Sequence, residues 1–339
     1  MKKGLALLLV LVLSFTLMTG CGKDADTSEV YTLKWAHVSP EDNDKQSDNI
    51  KKLIERCNEE SDGRLKIELH GNSVLGTEEE IFEGIQMGTI EMGSLSTAAV
   101  SGFYPGILAT SIPYLFKNRE EAWDLFDSET GDWLAEQLEA ATNVKVLGWG
   151  ENGLRCFTTT DRQIKTAADV KGLQIRTQSN AVIMDMVTAL GGTPQVIAFG
   201  ELYTALSQGT VDGQENPPGL IYTQGLYEVQ PYLTLDYHTY DLAAVYINPG
   251  VYNGLPDDLR AILDKNIEIY VDEERASSAA EDEANIQAMK DAGVSVYELS
   301  DAEYQTFVDA TASVLDTVRK EAGSETVDMV LQGVENLRK

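Results

Sequence analysis

The chain has 339 residues, with 26 Lys and Arg against 55 Asp and Glu and a formal net charge of −29. So acidic a surface repels polyanions and argues against nucleic acid as a partner, since nucleic-acid binding demands basic patches. A small anionic ligand stays open, because the local field of a pocket can oppose the net charge.

Met1-Lys2-Lys3 is a short basic start, and residues 4–18 (GLALLLVLVLSFTLM) form an uncharged apolar run. Basic, then apolar, then small residues is the layout of a secretory signal over 1–20. The run is shorter than the roughly 20 residues a spanning helix needs. Thr19-Gly20-Cys21 resembles the lipobox of bacterial lipoproteins, with Met18 where leucine usually stands. That resemblance implies lipid on Cys21 once residues 1–20 are removed, and contact with the membrane through that N-terminal lipid only. Residues 22–29 (GKDADTSE) are polar and small, so 21–29 reads as a lipidated tether.

The remainder is long for one core, so two domains are expected. Tyr31, Leu33 and Trp35 alternate with polar residues as a strand does. Residues 43–61 carry apolar positions at helical spacing (Ile50, Leu53, Ile54, Cys57), and 65–70 alternate again. Thr77 with Glu80 makes a capping box for a helix that ends at Gly88. Strand patterns follow at 144–149 and 154–160, then a second capping box at Thr166–Asp169, a strand at 173–178, a helix near 180–190 and a strand at 194–199. Strands interleaved with helices predict an α/β fold with mostly parallel sheets. Residues 256–291 carry one long helical pattern, which at 1.5 Å per residue runs about 50 Å, enough to span two domains. Two helices meeting near Ala276–Glu283 is the alternative.

Cys57 and Cys156 read as free buried thiols rather than a disulfide. His37, His70 and His238 are scattered and lack metal-ligand spacing, so no metal or cofactor is expected. Gly148-Trp-Gly-Glu-Asn-Gly153 matches GxGxxG, but a strand pattern follows where a dinucleotide site needs a helix to open. A glycine-rich crossing between domains is the better reading. No GxxxxGK[ST], HExxH or GxSxG occurs, no catalytic residue can be assigned, and the chain reads as a non-enzyme.

Arg155 and Arg176 sit in apolar strand patterns, where an unpaired arginine is costly to bury. Ligands gather at the carboxyl ends of parallel strands, and two guanidinium forks there can receive one carboxylate. An ordinary ion pair or surface role is the competing reading. Asn216 lies in a strand-end loop before Pro217-Pro218, as a ligand contact or as a turn or helix-cap residue. Phe199 by pattern alone is a core residue.

With these residues the chain resembles the extracytoplasmic binding subunit of tripartite ATP-independent periplasmic (TRAP) transporters, the DctP-type family. The matching pieces are GLR at 153–155, DVKGLQIRT at 169–177, ALGGTP at 189–194, FGELYTALSQGTVDGQENPP at 199–218 and YEVQPYL at 227–233, with the 70–92 and 103–116 stretches upstream. The resemblance implies a two-domain periplasmic-binding-protein-like fold with a strand hinge and a long helix spanning both domains. It divides the chain into 30–152 plus 242–281 and 153–241 plus 282–339. It implies closure on a small organic acid, giving two arginines a carboxylate they otherwise lack, and delivery to membrane permease subunits driven by an ion gradient. The principal carboxylate-pairing arginine falls on Arg176, a second on Arg155, the asparagine after QE on Asn216, and the aromatic contact on Phe199. Sialic-acid-binding members have an acidic residue where Ser96 stands, which argues against that ligand. His37, Ser96 and Tyr240 are candidate specificity contacts, and such polar groups favour a sugar acid such as a uronate. A C4-dicarboxylate or keto acid, presentation of a ligand to a membrane sensor, and a secreted enzyme acting on acidic sugars are the alternatives.

Overall fold

The computed structural model describes residues 29–339; the signal-like start, Cys21 and most of the tether lie outside the described residues. Nine strands form one sheet: β1 (Tyr31–Ala36), β2 (Leu65–His70), β3 (Met92–Ser96), β4 (Lys145–Thr159), β5 (Gln174–Thr177), β6 (Thr193–Val196), β7 (Gly213–Asn216), β8 (Tyr232–Ile247) and β9 (Ser295–Glu298). Their order is β2-β1-β3-β8-β4-β7-β5-β6, with β9 added on β8. β1 runs parallel to β2 and β3 in one lobe, and β5 parallel to β6 and β7 in the other. β4 and β8 pair antiparallel from Lys145↔Ile247 to Thr159↔Tyr232 and run through both lobes.

The sheet is therefore mixed, not of the mostly parallel kind that the strand–helix alternation suggests. The segments 144–149 and 154–160 are one continuous strand, irregular at Val146/Gly148, Glu151/Gly153 and Arg155/Phe157. The GxGxxG glycines serve that crossing. A Cβ on Gly148 would stand 2.8 Å from Val271 Cγ2, and Gly153 takes φ +130°, which side chains rarely adopt.

The long helix is unbroken, Asp257–Asp291. Leu259, Leu263, Ile267 and Tyr270 pack with Leu33, Trp35 and Leu53 in the core of the first lobe, whereas Met289 packs with Cys156, Leu206 and Ile221 in that of the second. The helix after Thr77 has the expected capping box and ends on left-handed Gly88. The Thr166–Asp169 box caps only one 3-10 turn, Ala167–Val170. Cys57 and Cys156 are free and buried.

A candidate ligand-binding cleft

The carboxyl ends of β1, β3, β5 and β7 face one another across the sheet centre, where ligands gather in α/β folds. A small pocket opens there. Its polar walls are Ser39 and Gln46 after β1, Ser94 and Ser96 of β3, Asn152 of β4 and Asn216 of β7. A larger recess adjoins it and is lined by Arg176 and by Thr77, Glu78, Glu79 and Glu80. Val38, Glu78, Gln178 and Phe199 line both, so the two form one continuous cleft.

Arg155 and Arg176 have opposite surroundings. Arg155 is buried and saturated. Its Nε donates to Glu215 Oε2, Nη1 to Asp241 Oδ2 at 2.9 Å, and Nη2 to Glu215 Oε1 and Asn216 Oδ1 at 3.0 Å. Burial opposes the charge on Glu215, yet the Arg155 guanidinium beside it holds the carboxyl down to about 2. The expectation that Arg155 lacks a carboxylate is thus corrected. Arg155 sits at a desolvated position on β4, and Glu215 of β7 and Asp241 of β8 neutralise it from the flanking strands. Behind Glu215 lies His238, 3.3 Å from Glu215 Oε2 and 2.7 Å from Asp236 Oδ2. Burial opposes a charge on this ring, but the Asp236 and Glu215 carboxylates raise its pKa to about 9.

Arg176 is only 2% exposed. Its Nε donates to Ile197 O at 2.9 Å, and among the described residues its Nη1 has no partner and forms no ion pair with a carboxylate within 4 Å. Burial lowers its pKa to about 10. The other buried arginines of the described residues, Arg155 and Arg275, each hold a carboxylate. A guanidinium without a carboxylate, facing a cleft, can receive an anion, since desolvation already weighs against it and a bidentate partner relieves that cost.

Ser96 joins two carboxylates. Its N–H donates to Glu78 Oε1 at 2.8 Å and its Oγ to Asp241 Oδ1 at 2.8 Å. Burial raises Glu78 to about 7. Burial also raises Asp241, against the pull of Arg155.

Of the residues singled out from sequence, Arg176, Asn216, Phe199 and Ser96 lie on the cleft walls. Arg155 stands behind Asn216 and supports it. Tyr240 points into the core, its OH on Glu151 Oε2 at 2.9 Å and its ring against Phe116. His37 is buried below the cavity, 3.2 Å from Ser47 Oγ, and burial lowers it to about 4. Glu78, Gln178, Asn152 and Gln46 were missed. Gln178 could have been found, because it lies two residues past Arg176 and shares its face of an extended segment. Among the described residues no cluster suits a metal ion, and no helix is long and apolar enough to cross a membrane.

The sequence profile described as "Bacterial extracellular solute-binding protein, family 7", DctP, matches residues 35–321. The C4-dicarboxylate-binding periplasmic protein DctP of Rhodobacter capsulatus is 32% identical over 305 residues, covering 89% of this chain and 91% of that protein. The 2,3-diketo-L-gulonate-binding periplasmic protein YiaO of Escherichia coli (strain K12) is 32% identical over 267 residues, 79% of this chain and 80% of that protein. An uncharacterized Sinorhizobium fredii protein, y4mM, is 33% identical over 279 residues, but the chain spans only 50% of its length. Among solved structures, the sugar acid binding protein DctPAm from Advenella mimigardefordensis, in complex with galactonate, superposes with a TM-score of 0.87 at 28% identity, covering 91% of this chain and 99% of that one.

Proposed function

The chain belongs to the bacterial extracellular solute-binding proteins of family 7, and from that premise we propose that it captures a sugar acid, such as a uronate or aldonate, and delivers it to TRAP membrane subunits. The observation that carries this reading is Arg176, a buried cation without a carboxylate of its own, on the wall of the cleft. The acid's carboxylate pairs with Arg176, and its hydroxyls meet the Ser96, Asn152, Asn216, Gln46 and Gln178 walls of the inner cavity. Hydroxyl and amide groups both donate and accept, as a polyol requires. Phe199 and Val38 cover the ligand's apolar face. Excluding water strengthens the ion pair as the local dielectric falls.

A C4-dicarboxylate fits less well. A second carboxylate needs a second free cation, and Arg155 is already committed to Glu215 and Asp241. Presentation of the ligand to a membrane sensor uses the same site and is separated by whether the protein co-purifies with a multi-spanning permease. A secreted enzyme would turn the acid over, which mass analysis of the bound acid detects.

The lobes of this reading are 30–152 plus 242–281 and 153–241 plus 282–339, closing about β4, β8 and the long helix. Closure is favoured only by the ligand's differential affinity for the closed state. The anchor of this reading is lipid on Cys21; Cys21→Ala should move the protein from the membrane to the soluble fraction.

The deciding experiment is thermal unfolding of residues 22–339 with D-galactonate, D-galacturonate, L-gulonate, succinate and neutral galactose. An acid at about 100 times its Kd adds roughly 2.7 kcal/mol, a rise of several degrees. Sugar acids should shift the midpoint, and Arg176→Ala should cut the shift to about a third or less. A shift with galactose alone, or an acid shift undiminished in Arg176→Ala, overturns the reading.

A further inference from the structure

Ser96 holds two carboxylates that differ in what neutralises them. Asp241 accepts from Arg155 Nη1 at 2.9 Å, from Asn152 Nδ2 at 2.7 Å and from Ser96 Oγ. Glu78 accepts from Ser96 N, and among the described residues it forms no ion pair with a cation within 4 Å. The charged and titratable groups facing Glu78 are Asp241 and Tyr246 of β8, Arg176 of β5, and Glu79 of its own helix; β3 offers only the neutral Ser96. Arg176 is the cation whose field favours a negative Glu78, and it lines the same recess.

We propose that capture of the acid is coupled to uptake of one proton by Glu78. This rests on the carboxylate-receptor reading of Arg176. Once the ligand's carboxylate pairs with Arg176, that guanidinium no longer offsets the charge on Glu78, and a further anion stands in the cleft. Like charges gathered in one desolvated site cannot all stay ionised. Asp241 keeps its charge because Arg155, Asn152 and Ser96 hold it. Glu78, poised by burial to about 7, takes a proton from solvent, its carboxylate becoming a carboxylic acid with no other bond made or broken. The new O–H then donates into the cavity that Glu78 lines. Affinity for the acid therefore falls as pH rises above neutrality, although the acid itself stays ionised throughout.

The test is titration calorimetry with whichever of D-galacturonate, D-galactonate or L-gulonate gives the largest thermal shift, in phosphate and in Tris, whose ionisation enthalpies differ. At about pH 8 the dependence of the heat on buffer should report uptake of about one proton, and near pH 5.5 about none. Affinity should weaken by up to about tenfold per pH unit between them and above. Glu78→Gln should abolish both effects. No uptake at pH 8, or undiminished uptake in Glu78→Gln, overturns the proposal. If that variant binds no acid, the ligand-free protein decides. A Glu78 poised near 7 makes the wild type lose stability relative to Glu78→Gln as pH rises from 4.5 through 7, whereas parallel stability curves overturn it. Silence of the wild type toward every acid removes the carboxylate-receptor reading, and this inference with it.

Discussion

Arg155 and Arg176 carry the same charge and are equally buried, yet their removal should have opposite effects. Arg155→Ala leaves Asp241 buried without a counter-charge and Glu215 with only the His238 ring beside it, and should cost about 3–5 kcal/mol of stability in denaturant unfolding. Arg176→Ala removes a buried cation that holds no carboxylate among the described residues, so ligand-free stability should hold or rise. The same change should weaken binding of the acid about 30-fold or more by calorimetry, the cost of truncating one side of a buried charged pair. A second prediction concerns pH. The folded-state pKa of His238 is raised from 6.5 to about 9. Its contribution, up to about 3 kcal/mol, is fully present below pH 6.5 and lost as pH rises through 9. Thermal melts from pH 6 to 10 should show that loss, and His238→Asn should lack it. Pattern alone made Arg155 and Arg176 equivalent, two arginines in strand patterns, and only the family resemblance ranked Arg176 first. What separates them is which side chains β7 and β8 place beside each, a matter of register that no local pattern carries. Glu78 was hidden for a similar reason, because its capping box explains it as the first turn of a helix and only the approach of Ser96 and Asp241 makes it a cleft residue.

At the scale of elements, the long helix was legible because 35 residues without proline or glycine leave few alternatives. The joined strand β4 was not, because glycines at 148, 150 and 153 look like turn punctuation. Their purpose is close packing. A Cβ on Gly148 would press on Val271 and Ile267 of the long helix, and one on Gly150 would stand 2.7 Å from Ala243 O. Gly148→Leu should therefore push the helix off the hinge strand and cost about 1–3 kcal/mol, measured as a lowered midpoint in denaturant. Because that helix is shared by the cores of both lobes, small-angle scattering should also show a smaller ligand-induced compaction in this variant than in the wild type.

For the whole molecule, an anion must approach a chain of net charge −29. At about 10 mM salt the screening length is about 30 Å, and at 150 mM about 8 Å. Arg176 is recessed behind Glu78, Glu79 and Glu80, so the repulsive field is felt first and the attractive one last. The association rate of a sugar acid should rise with ionic strength across that range in stopped-flow measurements. A steep fall would mean that the field of the cleft dominates.

The place of β8 in the sheet has a bearing on how the protein is made. This strand lies between β3 and β4 and also holds β9, although 231 residues precede it in the chain. Until it emerges, β3 has no partner on its inner side, β4 lacks its longest ladder, and the helix that roofs both cores does not yet exist. Neither half of the molecule can therefore finish early. Pairings of such sequence separation form slowly, so a growing chain remains open through most of its length. For a family that works outside the cytoplasmic membrane, a central strand that arrives late keeps the polypeptide threadable while most of it is threaded.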